Sequence, residues 1–400
     1  MKYIVMLGDG MADYPIEALG GKTPLQVAKK PHIDSLAQRG RLGMVKTVPD
    51  GMKPGSDVAN LAAMGYDPKS CYTGRSPLEA VSMGIKMSDV DVAFRCNLVT
   101  LSEEGGYGQK AMLDYSSGEI TTAEAAELVK AVDEAFHTAE LSFHPGISYR
   151  HCMIWHGGPV GLGLTPPHDI SDRKIEGYLP ENPVVLDLMR RSYDILKDHP
   201  VNQARKARGL NPANSIWLWG EGTRPSISCF ADTYGVNGSV ISAVDLIKGI
   251  GICAGMKVIE VEGATGNIDT NFRGKGEAAL QALLEGQDLV YIHVEAPDEC
   301  GHHGDLEGKI RAIEMIDEQI VGPLLEGLKE AGEDYSILVM PDHPTPIAVK
   351  THVSDPVPYL LYRSTGEVVS GIQAYTEETA AGTGIYGDHG YELMKQLLGR

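Results

Sequence analysis

The sequence predicts an α/β fold, a mostly parallel sheet between helices, interrupted by an inserted α+β domain. Three observations carry this expectation. Short apolar runs at residues 3–7, 257–261, 289–294 and 336–340 have the length and β-branched content of buried strands, with helix-length segments between them. Residues 90–209 break that rhythm with alternating strand patterns and a loose stretch rich in glycine and proline. Asp9, Asp298 and Asp342 each lie just past a predicted strand. In a parallel sheet all three would then reach the edge where ligands gather, beyond the carboxyl ends of the strands.

Along the chain, residues 3–7 form the first strand and Gly8-Asp9-Gly10 the tight turn after it. Residues 90–101 alternate like a strand, and 121–136 read as a helix capped by Thr121 or Thr122. Residues 140–143 and 148–155 suit two further strands, and 157–183 is a looser stretch. Helical patterns return at 183–198 and 201–209. The limits of the insert fall near residues 88 and 212, giving a discontinuous core of 1–88 and 212–400 around an insert of 89–211. Residues 275–285 have helical spacing. So do 309–329, where Ile310, Ile313, Ile316, Ile320, Leu324 and Leu328 mark one face.

Four hundred residues exceed one ordinary core, which agrees with two domains. A net charge of −19 argues against a nucleic-acid binder or a membrane-surface protein. No apolar run approaches the roughly 18 residues needed to span a bilayer. The first residues show no secretory pattern, and six scattered cysteines without a CxxC pair suit reduced thiols, so a cytoplasmic location is expected. The oligomeric state is left open.

The chemistry lies in a dispersed set of oxygen and nitrogen donors: Asp9, Ser56, Asp298, His302, Asp342, His343 and His352. Carboxylates with imidazoles suit divalent ions such as Mn²⁺ or Zn²⁺, and a hydroxyl among them suggests an activated nucleophile. Each donor also has a plainer role. Asp9 can cap a loop, and Ser56, at the start of a helix of small and apolar residues, can be an ordinary N-cap. The same helix start offers free N–H groups and a positive dipole that suit a phosphoryl group. Asp298 and His302, four apart, share a face if a helical turn forms, or else belong to a solvated acidic loop. His352 gains weight only from its company.

These positions fall in segments with a recognisable pattern: VMLGDGMADYPI, GKTPLQVAKKPHIDSLAQRG, PGSDVANLAAMGYDP, TGRSPLEA, HVEAPDECGHHGD, MPDHPTP and THVSDPVP. Together they resemble the alkaline-phosphatase-like metalloenzymes, and among them the archaeal type of cofactor-independent phosphoglycerate mutase. The resemblance covers nearly the whole chain. It implies a phosphatase-like core holding two divalent ions, with Mn²⁺ favoured and Zn²⁺ or Mg²⁺ as alternatives. It also implies a substrate-binding insert and transfer of a phosphoryl group between 2- and 3-phosphoglycerate through phospho-Ser56, without 2,3-bisphosphoglycerate. Asp9, Ser56, Asp342 and His343 would surround one ion, and Asp298, His302 and His352 the other. A supporting contact is the expectation for His303.

A carboxylate and a phosphate need cations, so Arg95, Arg150, His151, Arg205 and Arg208 are expected substrate residues, with His168 and Asp169 to position the glycerate hydroxyls and Lys275 to neutralise transition-state charge. Arg205 and Arg208, three apart, would fork around a carboxylate or phosphate, or else form an exposed basic helix face. Trp219 departs from the family pattern by standing where an arginine is expected, and an indole cannot pair with an anion. That departure keeps a second reading open, a phosphotransferase of the same fold such as a homoserine kinase. A metal-binding scaffold without catalysis, or a simple phosphatase or sulfatase, are the remaining readings.

Overall fold

The computed structural model describes residues 1–400 and divides them into two compact units, Met1–Tyr72 with Ser226–Arg400, and Thr73–Pro225. Strands are numbered along the whole chain. The discontinuous core unit holds β1 (Lys2–Gly8), β2 (Arg41–Val45), β8 (Gly238–Ile241), β9 (Lys257–Val258), β10 (Leu289–Val294), β11 (Tyr335–Met340), β12 (Val357–Arg363) and β13 (Tyr386–Gly387). They form one sheet in the order β13-β2-β12-β11-β1-β10-β8-β9. Only β12 runs against its neighbours β11 and β2, so the sheet is mostly parallel, as expected.

At the centre of this sheet β1 pairs in parallel with β10 on one side and β11 on the other. Leu7 lies opposite both His293 and Met340, so the three strands end level. The sequence dictates this burial. Every residue of β10 is buried, and so are the last five residues of both β1 and β11. Such runs must be covered on both faces. Phe272, Ile313, Ile316, Ile320 and Leu324 supply part of that cover. Asp9 therefore leaves the sheet at the edge where Asp342 leaves it, and Asp298 follows β10 in the first turn of the helix Ala296–His303.

Two expectations need adjustment, one for a helix and one for a strand. The run at 309–329 is broken into the helix Leu306–Met315, a π turn at Ile316–Val321 and the helix Gly322–Glu330. Pro323 has no N–H with which to continue the ladder. The wider turn also carries buried Asp317, which accepts from Ile33 N at 2.7 Å and His32 N at 3.2 Å and so caps the helix Pro31–Gln38. At 257–261 only Lys257 and Val258 pair, because β9 is the sheet's last strand.

The second unit contains β3 (Asp91–Leu101), β4 (Met112–Asp114), β5 (Leu141–His144), β6 (Arg150–His156) and β7 (Ser215–Thr223). β3 is its spine and pairs antiparallel with β4, β6 and β7. Helices Thr122–Phe136 and Pro183–Leu196 cover the sheet through Leu128, Val132, Val185 and Met189, and Thr121 caps the first by accepting from Glu124 N. This unit is wider than the expected 89–211. β7, which the limit at 212 would assign to the core, pairs with β3 along most of its length. The helix Ser76–Ser82 also belongs here, since Ser76 Oγ donates to Gly220 O and accepts from Arg95 N. All six cysteines are free, and no helix is long and apolar enough to cross a membrane.

Candidate metal centre

Two constellations form at the level end of β1, β10 and β11. In the first, His343 Nε2 lies 3.2 Å from Ser56 Oγ, 3.3 Å from Asp342 Oδ2 and 3.6 Å from Asp9 Oδ1. Ser56 is the first residue of the helix Ser56–Ala63, and the extended Gly55 is its N-cap, so the Ser56 hydroxyl is not spent on capping and is directed to His343. Asp342 is fixed on every side. Its Oδ1 accepts from Gly10 N at 3.1 Å and His343 N at 2.9 Å, and its Oδ2 from Asn60 Nδ2 at 2.8 Å. Asp9 is 1% exposed; its Oδ2 faces His293 Nε2 at 3.0 Å while its Oδ1 has no partner.

In the second constellation, His302 Nε2 is 3.2 Å from Asp298 Oδ2 and 2.9 Å from His352 Nε2, which is 3.4 Å from Asp298 Oδ1. His302 Nδ1 is directed to Lys350 O at 3.0 Å, which aims the other nitrogen at the cluster. The two groups adjoin, since the rings of His343 and His352 lie 4.0 Å apart and Thr345 Oγ1 reaches both Asp298 and His343. Close approach is needed here. Gly10 has φ +61, and a Cβ on it would stand 2.5 Å from Thr345 Oγ1 and 2.7 Å from Asp298 Oδ1.

The electrostatics of both groups call for cations. Burial, then the carboxylates of Asp342, Asp298 and Glu295, push the Asp9 carboxyl far above its ordinary range. Burial also opposes ionisation of Asp298, but bonds from His302 and His352 outweigh it and hold that carboxyl well below its ordinary range. His302, bonded to Asp298, is pushed up to about 9, while burial pulls His343 down. A buried carboxylate oxygen without a donor, and two imidazole nitrogens 2.9 Å apart, are both resolved by a divalent ion. Asp9, Asp342 and His343 lie close enough to ligate an ion, and so do Asp298, His343 and His352, with His343 common to both sets; His302 joins the second through its contacts with Asp298 and His352.

The remaining expected site residues divide. Arg95, on β3, pairs with Glu79 at 3.0 Å and lays its guanidinium over the Trp219 ring at 4.3 Å. Trp219 Nε1 donates to Asn97 Oδ1 at 3.0 Å, and the His168 ring meets the indole edge to face at 5.4 Å. Where an arginine is expected on β7, the indole thus carries a cation from the neighbouring strand. Arg150 and Asp169 are exposed. His151 is not; it begins the run of four consecutive buried residues in β6 and is 4% exposed, with Nδ1 accepting from Gly146 N and burial pulling its pKa to about 3.

Arg205 and Arg208 do face one way and do fork around a carboxylate, but it is the protein's own Glu124. Buried Arg205 also donates to Asn211 O at 2.9 Å and Ser117 O at 2.7 Å, so each of its three nitrogens is held by an oxygen of the insert. Lys275 has no exposed surface. Its Nζ donates to His293 O at 3.2 Å, because its helix Phe272–Leu284 packs that face onto the sheet. His303 stands 74% exposed beside Glu299 and takes no part in the cluster. Sequence reasoning passed over Tyr291 and His293. The one available signal was two side chains able to hydrogen-bond, two apart, in an otherwise apolar strand.

A family model described as 2,3-bisphosphoglycerate-independent phosphoglycerate mutase matches residues 37–202. A probable 2,3-bisphosphoglycerate-independent phosphoglycerate mutase of Geobacter sulfurreducens is 52% identical, with all of both chains covered. The chain belongs to this family. A 2,3-bisphosphoglycerate-independent phosphoglycerate mutase of Methanothrix thermoacetophila is 50% identical, again over all of both chains. Among solved structures, the PH0037 protein from Pyrococcus horikoshii superposes with a TM-score of 0.84 at 29% identity, covering 100% of this chain and 97% of that one. The cofactor-independent phosphoglycerate mutase from Thermoplasma acidophilum gives 0.67 at 26% identity, covering 100% and 99%.

Proposed function

We propose that the protein interconverts 2- and 3-phosphoglycerate through a phosphoserine on Ser56, without 2,3-bisphosphoglycerate. The observation that carries this reading is the Ser56 hydroxyl at a helix start, hydrogen-bonded at 3.2 Å to His343, in the cluster that holds the orphaned Asp9 oxygen. Its family membership supports the substrate.

Asp9, Ser56, Asp342 and His343 would hold one divalent ion and Asp298, His302 and His352 the other, with Mn²⁺ favoured by the family resemblance and Zn²⁺ or Mg²⁺ as alternatives. Such ions supply neutralisation of phosphoryl charge and of the entering and leaving oxygens. The protein's own contribution is orientation. The Ser56 and Asp57 N–H groups at the start of helix Ser56–Ala63 would meet phosphoryl oxygens, and the helix start favours an ionised Ser56 oxygen. Ser56 Oγ attacks phosphorus; the Oγ–P bond forms as the bond to the glycerate oxygen breaks. After the glycerate turns, its other hydroxyl takes the phosphoryl group back, which restores Ser56.

Arg95, Arg150, His168 and Asp169 are the insert side chains we assign to substrate, with Trp219 as the platform under Arg95. Ser56→Ala tests the nucleophile. Turnover of 3-phosphoglycerate, followed by phosphorus NMR without 2,3-bisphosphoglycerate, should vanish while bound metal stays near the wild-type amount. A Ser56→Ala protein that still forms 2-phosphoglycerate refutes the assignment.

A further inference from the structure

β10 carries two polar-capable side chains, Tyr291 and His293, both with 0% exposure. Residues two apart on a strand point to the same face. His293 Nδ1 faces Ser242 Oγ at 3.2 Å, and that oxygen already accepts from Val244 N at 3.0 Å. With the Ser242 proton directed to Nδ1, the imidazole proton sits on Nε2 and is donated to Asp9 Oδ2, the tautomer this assignment uses. Only the other Asp9 oxygen then remains open.

Tyr291 does the same for the second carboxylate through Asn60. Its hydroxyl meets Asn60 Oδ1 at 2.6 Å, and Asn60 Nδ2 donates to Asp342 Oδ2 and to Ser56 O, each at 2.8 Å. The opposite amide orientation would put the Asn60 oxygen against two acceptors, so one orientation is enforced. That single amide links the nucleophile's backbone to a cluster carboxylate.

We propose that Tyr291 and His293 are positioning residues for phosphoryl transfer: from one face of β10 they set the rotation of Asp342, through Asn60, and of Asp9, directly. This rests on the ion-binding reading above. Partners of this kind around a metal typically matter ten- to a hundred-fold in affinity.

The test titrates chelator-treated full-length protein with Mn²⁺, reading free Mn²⁺ by electron paramagnetic resonance, with KM for 3-phosphoglycerate measured at saturating Mn²⁺. Wild type should bind two ions. His293→Leu should weaken one of them about ten- to a hundred-fold with KM unchanged. His293→Gln, whose amide can still donate to Asp9, should recover most of the loss. Ser242→Ala and Tyr291→Phe should each weaken binding about ten-fold. Wild-type affinity in His293→Leu, or equal losses in the leucine and glutamine variants, overturns the proposal, since space-filling alone would then explain the site. If His293→Leu does not fold, wild-type affinity in both Ser242→Ala and Tyr291→Phe overturns it. Absence of Mn²⁺ binding by wild type itself sinks the ion-binding reading instead.

Discussion

Removing one member of the buried Lys309–Asp13 pair should destabilise the core unit strongly, and removing both should cost less than the sum. The ammonium is 0% exposed and the carboxylate 1%, 2.7 Å apart. Lys309 also donates to Ala12 O at 3.2 Å and Thr345 O at 2.8 Å, so its three protons are all used. It thereby joins the loop after β1, which carries Asp9, to the turn after β11, which carries Asp342 and His343. Lys309→Met leaves Asp13 charged, buried and supported only by Tyr14 N at 2.8 Å and Ile347 N at 3.1 Å. Asp13→Asn leaves the buried ammonium without its bonded carboxylate, with only the more distant Asp298 and Glu377 as acidic neighbours. Each single change should cost about 3–5 kcal/mol, the usual effect of stranding one buried charge. The double variant strands none, and the coupling should return about 2 kcal/mol or more. Urea unfolding of chelator-treated protein, followed by circular dichroism, measures this without a contribution from bound ions. Single losses under about 1 kcal/mol, or strict additivity, would refute the claim that the pair acts as a desolvated unit.

Three further outcomes follow from the geometry. Gly10→Ala should abolish turnover and Mn²⁺ binding together, because φ +61 is strained for alanine and the new methyl collides with Asp298 and Thr345; a variant that binds Mn²⁺ normally contradicts this. Arg205→Met should lower the unfolding midpoint of the insert by an amount equivalent to about 3 kcal/mol, while Arg208→Ala, half exposed, costs about 0–1 kcal/mol. Neither should raise KM, and a large rise in KM for either would return that residue to the substrate site. At Asp114 burial opposes ionisation, but bonds from Ser116 N, Ser116 Oγ, Asn211 Nδ2 and Gly118 N outweigh it and hold the carboxyl below its ordinary value. Its stabilisation is then complete above the unfolded value, near pH 4, and lost as pH falls through the folded one. Asp114→Asn should therefore lower stability at pH 7 and flatten the acid limb of a stability–pH curve; an unchanged limb refutes the assignment.

The core sheet was readable because its central strands are buried on both faces, which forces continuous apolar runs such as residues 289–294. The cluster was readable for a related reason. A buried strand must end in the polar residue that leaves the sheet, so Asp9 and Asp342 stand out against what precedes them. The same logic hid Tyr291 and His293, since in a strand where everything is buried no alternation marks the face that carries function. The insert's margins were harder. β7 is recognised as part of the insert only through its partner β3, more than a hundred residues earlier, and no local pattern reports that pairing.

Side-chain type and direction proved easier to read than side-chain partner. The spacing of Arg205 and Arg208 gave their common direction, and both close on one carboxylate, but Glu124 lies 81 positions from Arg205. A basic pair at helical spacing looks the same whether it awaits a ligand or an acid supplied by its own chain. Burial separates the two cases. An arginine whose three nitrogens all meet internal oxygens stabilises the fold, whereas Arg95 spends one bond on Glu79 and rests its plane on Trp219. The tryptophan is therefore consistent with a phosphorylated acid as substrate, because what such a ligand needs is a held cation rather than an arginine at one given position. Trp219→Ala distinguishes these views: loss of the platform should raise KM for 3-phosphoglycerate with kcat little changed, and an unaltered KM would remove Arg95 from the substrate site.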